Sequence, residues 1–337
     1  MLNNATCYDT IIFIILIWLL TLYCQVMETT PTINDNENRV YLNKISNSIR
    51  DLNSTTDTTL FVQQMVSLSV LLSNFDRNLG NSFPDIDENA QDPTYFIAAY
   101  FDTKNIVESI WVYRIVRSLT RYILLSDKFY ETRNDKYAIL AKQVQKSINE
   151  SLRTKYDAQH LIYSINYSLN QFSAFWKFER IIERRILKNY TFTYTEIRNF
   201  NLSKSLDARL VYSKVLDAKL PSFNENVALV LHYNQALLDM QDDWEDIEDD
   251  VREDMPNIFV MAAVNNIPYD RIKKSNHNAI RKLILNGTTS GLFVRFIDEL
   301  QALSKSISIP ENFAFLKFLS DRYADNLRGK LSSTNTW

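Results

Sequence analysis

Apolar residues recur every three or four positions along most of the chain, a spacing that places them on one side of an α-helix. This pattern predicts about nine or ten helices, and no segment alternates as a convincing strand would. The predicted helices span residues 41–52, 59–79, 106–125, 137–152, 160–188, 205–220, 227–240, 270–285, 292–307 and 311–327. We therefore expect an all-α fold, with one helical domain over residues 39–330 and a polar tail over residues 331–337.

The N-terminal segment differs, because its apolar residues are continuous instead of periodic. Residues 11–22 read IIFIILIWLLTL, and the apolar character extends to Val26. About 16 apolar residues are close to the lower limit for a transmembrane helix. A cleaved signal peptide is the alternative, but it normally has basic residues before the apolar core and small residues at its cleavage site. We interpret residues 1–26 as an uncleaved hydrophobic or transmembrane anchor, followed by a polar linker over residues 27–38.

Composition narrows the function classes that need to be considered. The chain has four glycines and seven prolines in 337 residues, and it lacks the glycine-rich loops of nucleotide-binding α/β folds. Its net charge of −3 gives no argument for nucleic-acid binding. Both cysteines, Cys7 and Cys24, lie in the N-terminal segment, so the helical body has neither a disulfide framework nor a cysteine-based zinc site.

Acidic residues are concentrated in the segment 237–257, LLDMQDDWEDIEDDVREDMPN, which continues a predicted apolar helix. Because residues four apart share a helix face, some of these aspartates are expected to form one row. The row consists of Asp242, Asp246 and Asp250, with Asp243 and Asp249 beside it. Such runs are usually solvated surfaces. Trp244 and Ile247, however, favour a partly buried segment in which a hard divalent cation such as Mg²⁺ offsets the repulsion between carboxylates.

Part of this acidic run, residues 241–246, has the form QDDxxD. It resembles the second aspartate-rich motif of the class I isoprenoid synthases, especially the trans-prenyl diphosphate synthases. In that family two such motifs face each other across an all-helical bundle and hold the Mg²⁺ ions that bind an allylic diphosphate. The resemblance implies a class I terpenoid-synthase-like bundle with Mg²⁺ as its cofactor. It implies catalytic roles for Asp242, Asp243 and Asp246, and metal-binding roles for Asp242, Asp246 and Asp250.

The family's first motif is expected more than a hundred residues upstream, and the segment 122–136, YILLSDKFYETRNDK, is the candidate. It follows an apolar helix, and Asp127 and Glu131 have the outer spacing of the motif. Lys128 stands where the family has a second aspartate, and Glu131 replaces the last one. The resemblance implies catalytic and metal-binding roles for Asp127 and Glu131.

Basic residues near these motifs are the candidate diphosphate ligands. Three arginines at helical spacing end at Arg121, and arginine binds phosphate through two parallel hydrogen bonds. A surface position is the ordinary explanation of such arginines. Lys136 lies at about the offset where the family has paired arginines after its first motif. The family's Lys-Thr pair is missing from the helix 205–220, so Arg209 is the candidate there.

Two functions remain open at this point. The resemblance implies a Mg²⁺-dependent isoprenoid synthase or prenyltransferase that ionises an allylic prenyl diphosphate. It leaves chain elongation, condensation and cyclisation as alternatives. Such an enzyme would be tethered to the membrane by its N-terminal segment, with the helical domain in the cytoplasm. A homodimer is one expectation for its oligomeric state. The second function is a non-catalytic, membrane-anchored binding protein of the same fold, which Lys128 and the missing Lys-Thr pair favour.

Overall fold

The computed structural model describes residues 106–333 except 156–158, 207–214, 217–222 and 286, together with scattered positions between 40 and 71. Every regular element of this part of the chain is helical, which confirms the predicted all-α class. The elements are α1 (Ile106–Thr132), α2 (Asp135–Lys155), α3 (Gln159–Leu187), α4 (Tyr194–Lys204), α5 (Glu225–Glu245), α6 (Ile247–Glu253), α7 (Ile258–Ala263), α8 (Tyr269–Lys273), α9 (His277–Ile284), α10 (Gly287–Ser306), a 3₁₀ turn (Glu311–Phe313) and α11 (Phe315–Ser333).

The apolar helix faces meet in two hydrophobic clusters. The first includes Leu119 and Ile165 from α1 and α3, and the second includes Phe259 and Phe293 from α7 and α10. Helix α5 runs through both clusters, and it packs against α4, α10 and α11. The acidic run at the C-terminal end of α5 is therefore fixed in position by the central helix of the molecule.

Several helix boundaries differ from the sequence prediction. Helix α1 continues to Thr132, so the first acidic segment lies within its last turns and not after its end. Helix α4 was not predicted, although a capping box marks its start: the Thr193 hydroxyl accepts a hydrogen bond from the Glu196 amide, and the Glu196 carboxylate accepts one from the Thr193 amide. The predicted helix 270–285 is two helices, because Asn276 begins a new one by capping α9. Helix α11 extends to Ser333, into the predicted polar tail.

The predicted anchor at residues 1–26 and the linker at residues 27–38 lie outside the described residues, as does most of the predicted helix 205–220. Among the helices that the structure describes, none is long and apolar enough to cross a membrane.

Candidate active site

The two acidic segments line one cleft of about 430 Å³, and each contributes one of its walls. Helix α1 contributes Asp127 and Glu131, and the α5–α6 segment contributes the aspartates of the second motif. The rest of the cleft is lined mainly by aromatic and apolar side chains: Ile123, Leu124, Tyr130, Tyr137, Phe172, Phe175, Trp176, Met255 and Pro256. Residues that are more than a hundred positions apart in the sequence thus form a single acidic cleft with an aromatic interior.

The acidic run is not one continuous helix, but its aspartate row persists. Helix α5 ends at Glu245, the chain bends at Asp246 (φ −97°, ψ 6°), and α6 begins at Ile247. The Asp246 amide donates to the Asp242 carbonyl at 2.9 Å, and the Asp250 amide donates to the Asp246 carbonyl at 2.8 Å. These bonds carry the helical spacing across the bend, so Asp242, Asp246 and Asp250 all line the cleft.

The acidic residues on the outer side of the run have basic partners. Glu245 forms an ion pair with Lys330 of α11, and Glu248 pairs with Arg281 of α9 at 2.6 Å. Asp249 pairs with Arg252 one turn further along α6. Charge repulsion on this side is thus offset by cations of α9 and α11 and by Arg252 within α6, whereas the inward-facing aspartates line the cleft.

Asp243 faces inward but is engaged in the packing of the site. Its side chain is buried, and one carboxylate oxygen accepts from the Lys204 ammonium at 2.6 Å. The other oxygen accepts from the Ile258 amide at 3.0 Å, at the N-terminus of α7. The Asn257 side chain donates to the Asp243 carbonyl at 2.5 Å and to the Asp250 carboxylate at 2.8 Å. Asp243 therefore joins α4, α5 and α7, while Asp242 and Asp246 face the cleft.

Burial and mutual repulsion make these aspartates hard to ionise. Burial raises the pKa of Asp250 to about 7, and the charge of Asp243 adds to the effect. The pKa values of Asp242 and Asp246 are also raised, first by burial and then by the neighbouring carboxylates, and Lys204 lowers both. Within the described part of the chain, no hydrogen bond or ion pair to the Asp242 or Asp246 carboxylate is found. Among the described residues, Lys204 acts on both carboxylates through its charge, without a hydrogen bond to either.

On the opposite wall, Asp127 is fixed by an aromatic pair. The Trp176 indole N–H donates to Asp127 Oδ1 at 2.8 Å, and the Trp176 ring stacks on Tyr130 with 4.2 Å between centroids. Burial raises the pKa of Asp127 to about 7, although the Trp176 hydrogen bond lowers it. One turn further, Glu131 is paired with Lys128 at 2.8 Å. Each carboxylate of the first motif thus has one defined partner.

Five charged cleft residues were not identified from the sequence: Glu179, Arg180 and Glu183 of α3, Lys204 at the end of α4, and Asp239 of α5. Burial alone would lower the pKa of Lys204, but Asp243, Asp239 and Asp242 together raise it well above its usual value. Lys204 directly precedes the segment 205–220, in which a Lys-Thr pair was sought. The sequence signal for Lys204 is the pair Lys204-Ser205, a lysine followed by a hydroxyl residue. In the structure the Ser205 hydroxyl donates to the Asp239 carboxylate at 2.5 Å.

Glu179 and Arg180 lie on the face of α3 that lines the cleft, and the spacing of residues along the sequence indicates this face. Phe172, Phe175, Glu179 and Glu183 recur every three or four positions, and all of them line the cleft. Burial raises the pKa of Glu179 to about 8, with a further contribution from the charge of Asp127. Arg180 donates to the Glu183 carboxylate at 2.9 Å and to the Tyr130 carbonyl at 3.1 Å.

Of the three predicted basic ligands, the structure describes two, and neither is a described lining residue of the cleft. Arg121 is buried, but it is not among the described lining residues. It lies six residues before Asp127, which turns it by roughly 120° around the helix. Lys136 is exposed at the start of α2 and also does not line the cleft as described. Arg209 lies outside the described residues.

As the side chains stand, no three His, Cys, Asp or Glu residues in the described ranges converge closely enough to hold a metal ion. The donor set nevertheless has the chemistry that Mg²⁺ prefers, since the inward side chains are carboxylates and the nearest cation, Lys204, is engaged with Asp243. Comparisons of the chain with protein-family models, with curated proteins and with solved structures found no match.

Proposed function

We propose that this chain is a Mg²⁺-dependent class I isoprenoid synthase or prenyltransferase that ionises an allylic prenyl diphosphate. One observation carries the proposal. Asp127 and Glu131 of α1 and Asp242, Asp246 and Asp250 of α5–α6 line a single cleft, together with several aromatic side chains. Two opposed carboxylate walls suit a diphosphate held through divalent cations, and an aromatic interior suits the apolar chain attached to it.

The carboxylates on the two walls would hold the metal. The raised pKa values of Asp127, Asp242, Asp246 and Asp250 support this role, because burial disfavours their charged forms more than Lys204 favours them, and a bound cation would supply further positive charge. Bound Mg²⁺ supplies the positive charge that stabilises a departing diphosphate. Lys204, inside the cleft, adds a fixed positive charge of its own.

Ionisation breaks the bond between the allylic carbon and the bridging oxygen, and both electrons of that bond leave with the diphosphate. The allylic cation that remains lies among Phe172, Phe175, Trp176 and Tyr130, whose ring faces stabilise positive charge. The same rings exclude water, which would otherwise capture the cation. A carbon–carbon double bond of isopentenyl diphosphate, of a second prenyl chain or of the substrate itself then captures it. The π electrons of that double bond form the new carbon–carbon bond, and the cation left on its other carbon loses a proton to the released diphosphate.

The test is release of diphosphate from allylic prenyl diphosphates by the full chain with Mg²⁺. We expect Asp242→Ala combined with Asp246→Ala to reduce the rate by about a hundredfold or more, the size of effect seen when groups that stabilise developing charge are removed. Asp249→Ala is the matched control, because Asp249 belongs to the same run but pairs with Arg252 at the surface. Undiminished release by the double variant would refute the assignment.

The alternative is a binding protein of the same architecture that does not turn over its ligand. The Lys128–Glu131 ion pair favours it, since it engages one of the two carboxylates that α1 offers. Calorimetry with a prenyl diphosphate and Mg²⁺ separates the two functions. Binding without product supports the alternative, whereas absence of binding contradicts both.

The predicted anchor at residues 1–26 would tether this enzyme to the bilayer into which a long prenyl product partitions. Prenyl diphosphates do not cross membranes unaided, so the helical domain is proposed to face the cytoplasm. Protease treatment of intact cells tests this topology. Digestion of the helical domain from outside would contradict the cytoplasmic assignment.

A further inference from the structure

Positive charge is distributed unevenly around the cleft. The α5–α6 wall presents Asp239, Asp242, Asp243, Asp246 and Asp250. The described cleft-lining cations are Lys128 on α1, Arg180 on α3 and Lys204 on α4. Helix α1 thus has a cation of its own beside its two carboxylates, whereas the α5–α6 segment presents five carboxylates and no described cation of its own, and depends on Lys204 of α4. A metal ion is needed most on the α5–α6 wall.

All three cations have partners, but two of them hold structural contacts. Lys204 donates to the buried carboxylate of Asp243 at 2.6 Å, and breaking that pair would leave a buried charge without its partner. Arg180 uses separate nitrogens to bind Glu183 and the Tyr130 carbonyl, so it connects α3 to the end of α1. Neither side chain is available for a new ligand without loss of a structural contact.

Lys128 differs from both. Its side chain is 59% exposed, and its described partner, Glu131, is 42% exposed. An exposed lysine–glutamate pair three residues apart on a helix contributes little to stability, because water screens both charges. Lys128 can therefore exchange Glu131 for a more highly charged anion at small cost.

We propose that Lys128 is a direct ligand of the diphosphate and supplies on the α1 wall part of the positive charge that divalent cations supply on the α5–α6 wall. The inference rests on the proposed function, since it assigns a role within the same cleft. Diphosphate binding then releases Glu131 from Lys128 and leaves that carboxylate available to a cation. The chain should accordingly bind diphosphate at lower Mg²⁺ concentrations than a cleft with a carboxylate in place of Lys128 would require.

The test is calorimetric titration of the full chain with inorganic diphosphate at limiting and at saturating Mg²⁺. With Lys128→Ala we expect roughly tenfold weaker binding at limiting Mg²⁺, the loss of one charge-assisted contact. Lys128→Arg should retain most of the affinity. Lys128→Asp, which adds a carboxylate, should weaken diphosphate binding at limiting Mg²⁺. Its diphosphate affinity should depend more steeply on the Mg²⁺ concentration and approach the wild-type value at saturating Mg²⁺.

Lys146→Ala is the matched control, because Lys146 forms a similar exposed pair with Glu150 on α2. It should leave diphosphate binding unchanged. Equal affinities of the wild type and Lys128→Ala at limiting Mg²⁺ would overturn the role of Lys128 and leave the proposed function standing. If the wild type binds no diphosphate at any Mg²⁺ concentration, the proposed function and this inference both fall.

Discussion

Asp242 and Asp243 are neighbours in the chain, yet they have different tasks. Asp243 uses one oxygen for Lys204 and the other for the Ile258 amide, whereas Asp242 faces the cleft. Asp127 on the opposite wall is intermediate, since it lines the cleft and one of its oxygens accepts from Trp176. Hydrogen bonds to a carboxylate favour its charged form, so the surroundings of each aspartate decide how readily it can bind a cation.

We expect Trp176→Phe to weaken Mg²⁺ binding about fivefold to tenfold near pH 7, because a hydrogen bond to a charged group is lost. Phenylalanine keeps a ring against Tyr130 but has no N–H for Asp127. The pKa of Asp127, already about 7, should rise further, so the deficit should shrink at higher pH. Mg²⁺ titrations followed by calorimetry at two pH values measure this.

Phe178→Leu provides the comparison for the Trp176 variant. Phe178 is on the same helix, but it packs near Phe200 with ring centroids 5.9 Å apart and does not line the cleft as described. It should perturb packing without changing the Mg²⁺ titration. A Trp176→Phe protein with wild-type Mg²⁺ affinity at both pH values would show that the indole hydrogen bond has no positioning role.

At the scale of elements, the short helix α7 is connected to the acidic run by one side chain. Asn257 caps α7, because its Oδ1 accepts from the Phe259 amide at 2.9 Å, and its Nδ2 donates to the Asp243 carbonyl and the Asp250 carboxylate. The start of α7 and the position of α6 are thus set together. Helix α7 is buried along its entire length and belongs to the second hydrophobic cluster. Its cap, Asn257, therefore connects this cluster to the aspartates of the cleft.

Asn257→Ala should lower the free energy of unfolding by about 2–4 kcal/mol, through loss of a helix cap and of a donor to a buried carbonyl. Asn276→Ala is the matched control. Asn276 caps α9 through the Ala279 amide, but it is exposed and has no described bond to the acidic run. It should cost about 1 kcal/mol. Urea denaturation measures both values, and equal losses would contradict the coupling.

Elements with long amphipathic patterns were predictable, and short ones were not. The segments 106–125, 137–152 and 160–188 correspond to α1, α2 and α3, whose apolar faces repeat over several turns. Helices α6 to α9 have five to eight residues each, too few for a period to emerge, and caps such as Asn257 and Asn276 set their bounds. The sequence placed Asp127 and Asp242 in one candidate site, but it did not reveal Lys204, whose role depends on packing between α4 and α5.

At the scale of the whole molecule, the cleft makes stability depend on pH. The pKa values of Asp127 and Asp250 are raised to about 7 and that of Glu179 to about 8, mainly by burial. In the unfolded chain these acids lose their protons near pH 4. Between about pH 5 and 8 the folded state therefore holds more protons than the unfolded state, and its stability falls as pH rises.

We expect the melting temperature of the metal-free chain to fall by several degrees between pH 5.5 and pH 8. Mg²⁺ should restore it at pH 8 and have little effect at pH 5.5, because protonated carboxylates do not bind the ion. Thermal unfolding followed by circular dichroism, with NaCl at matched ionic strength as the control, measures this. A melting temperature that rises from pH 5.5 to pH 8 without metal would contradict the raised pKa values.

Helices α1 and α5 both end at the cleft, with Glu131 and Asp242 in or beside their final turns, and neither has a basic residue in its last turn. The aligned peptide dipoles of a helix give its C-terminus a partial negative charge. The backbone thus contributes to the attraction for cations from both walls, independently of any side chain. Substitution of one aspartate removes one ligand but leaves this field intact. We therefore expect cation affinity to decline stepwise over successive substitutions, and the cleft to tolerate the loss of individual carboxylates during its evolution.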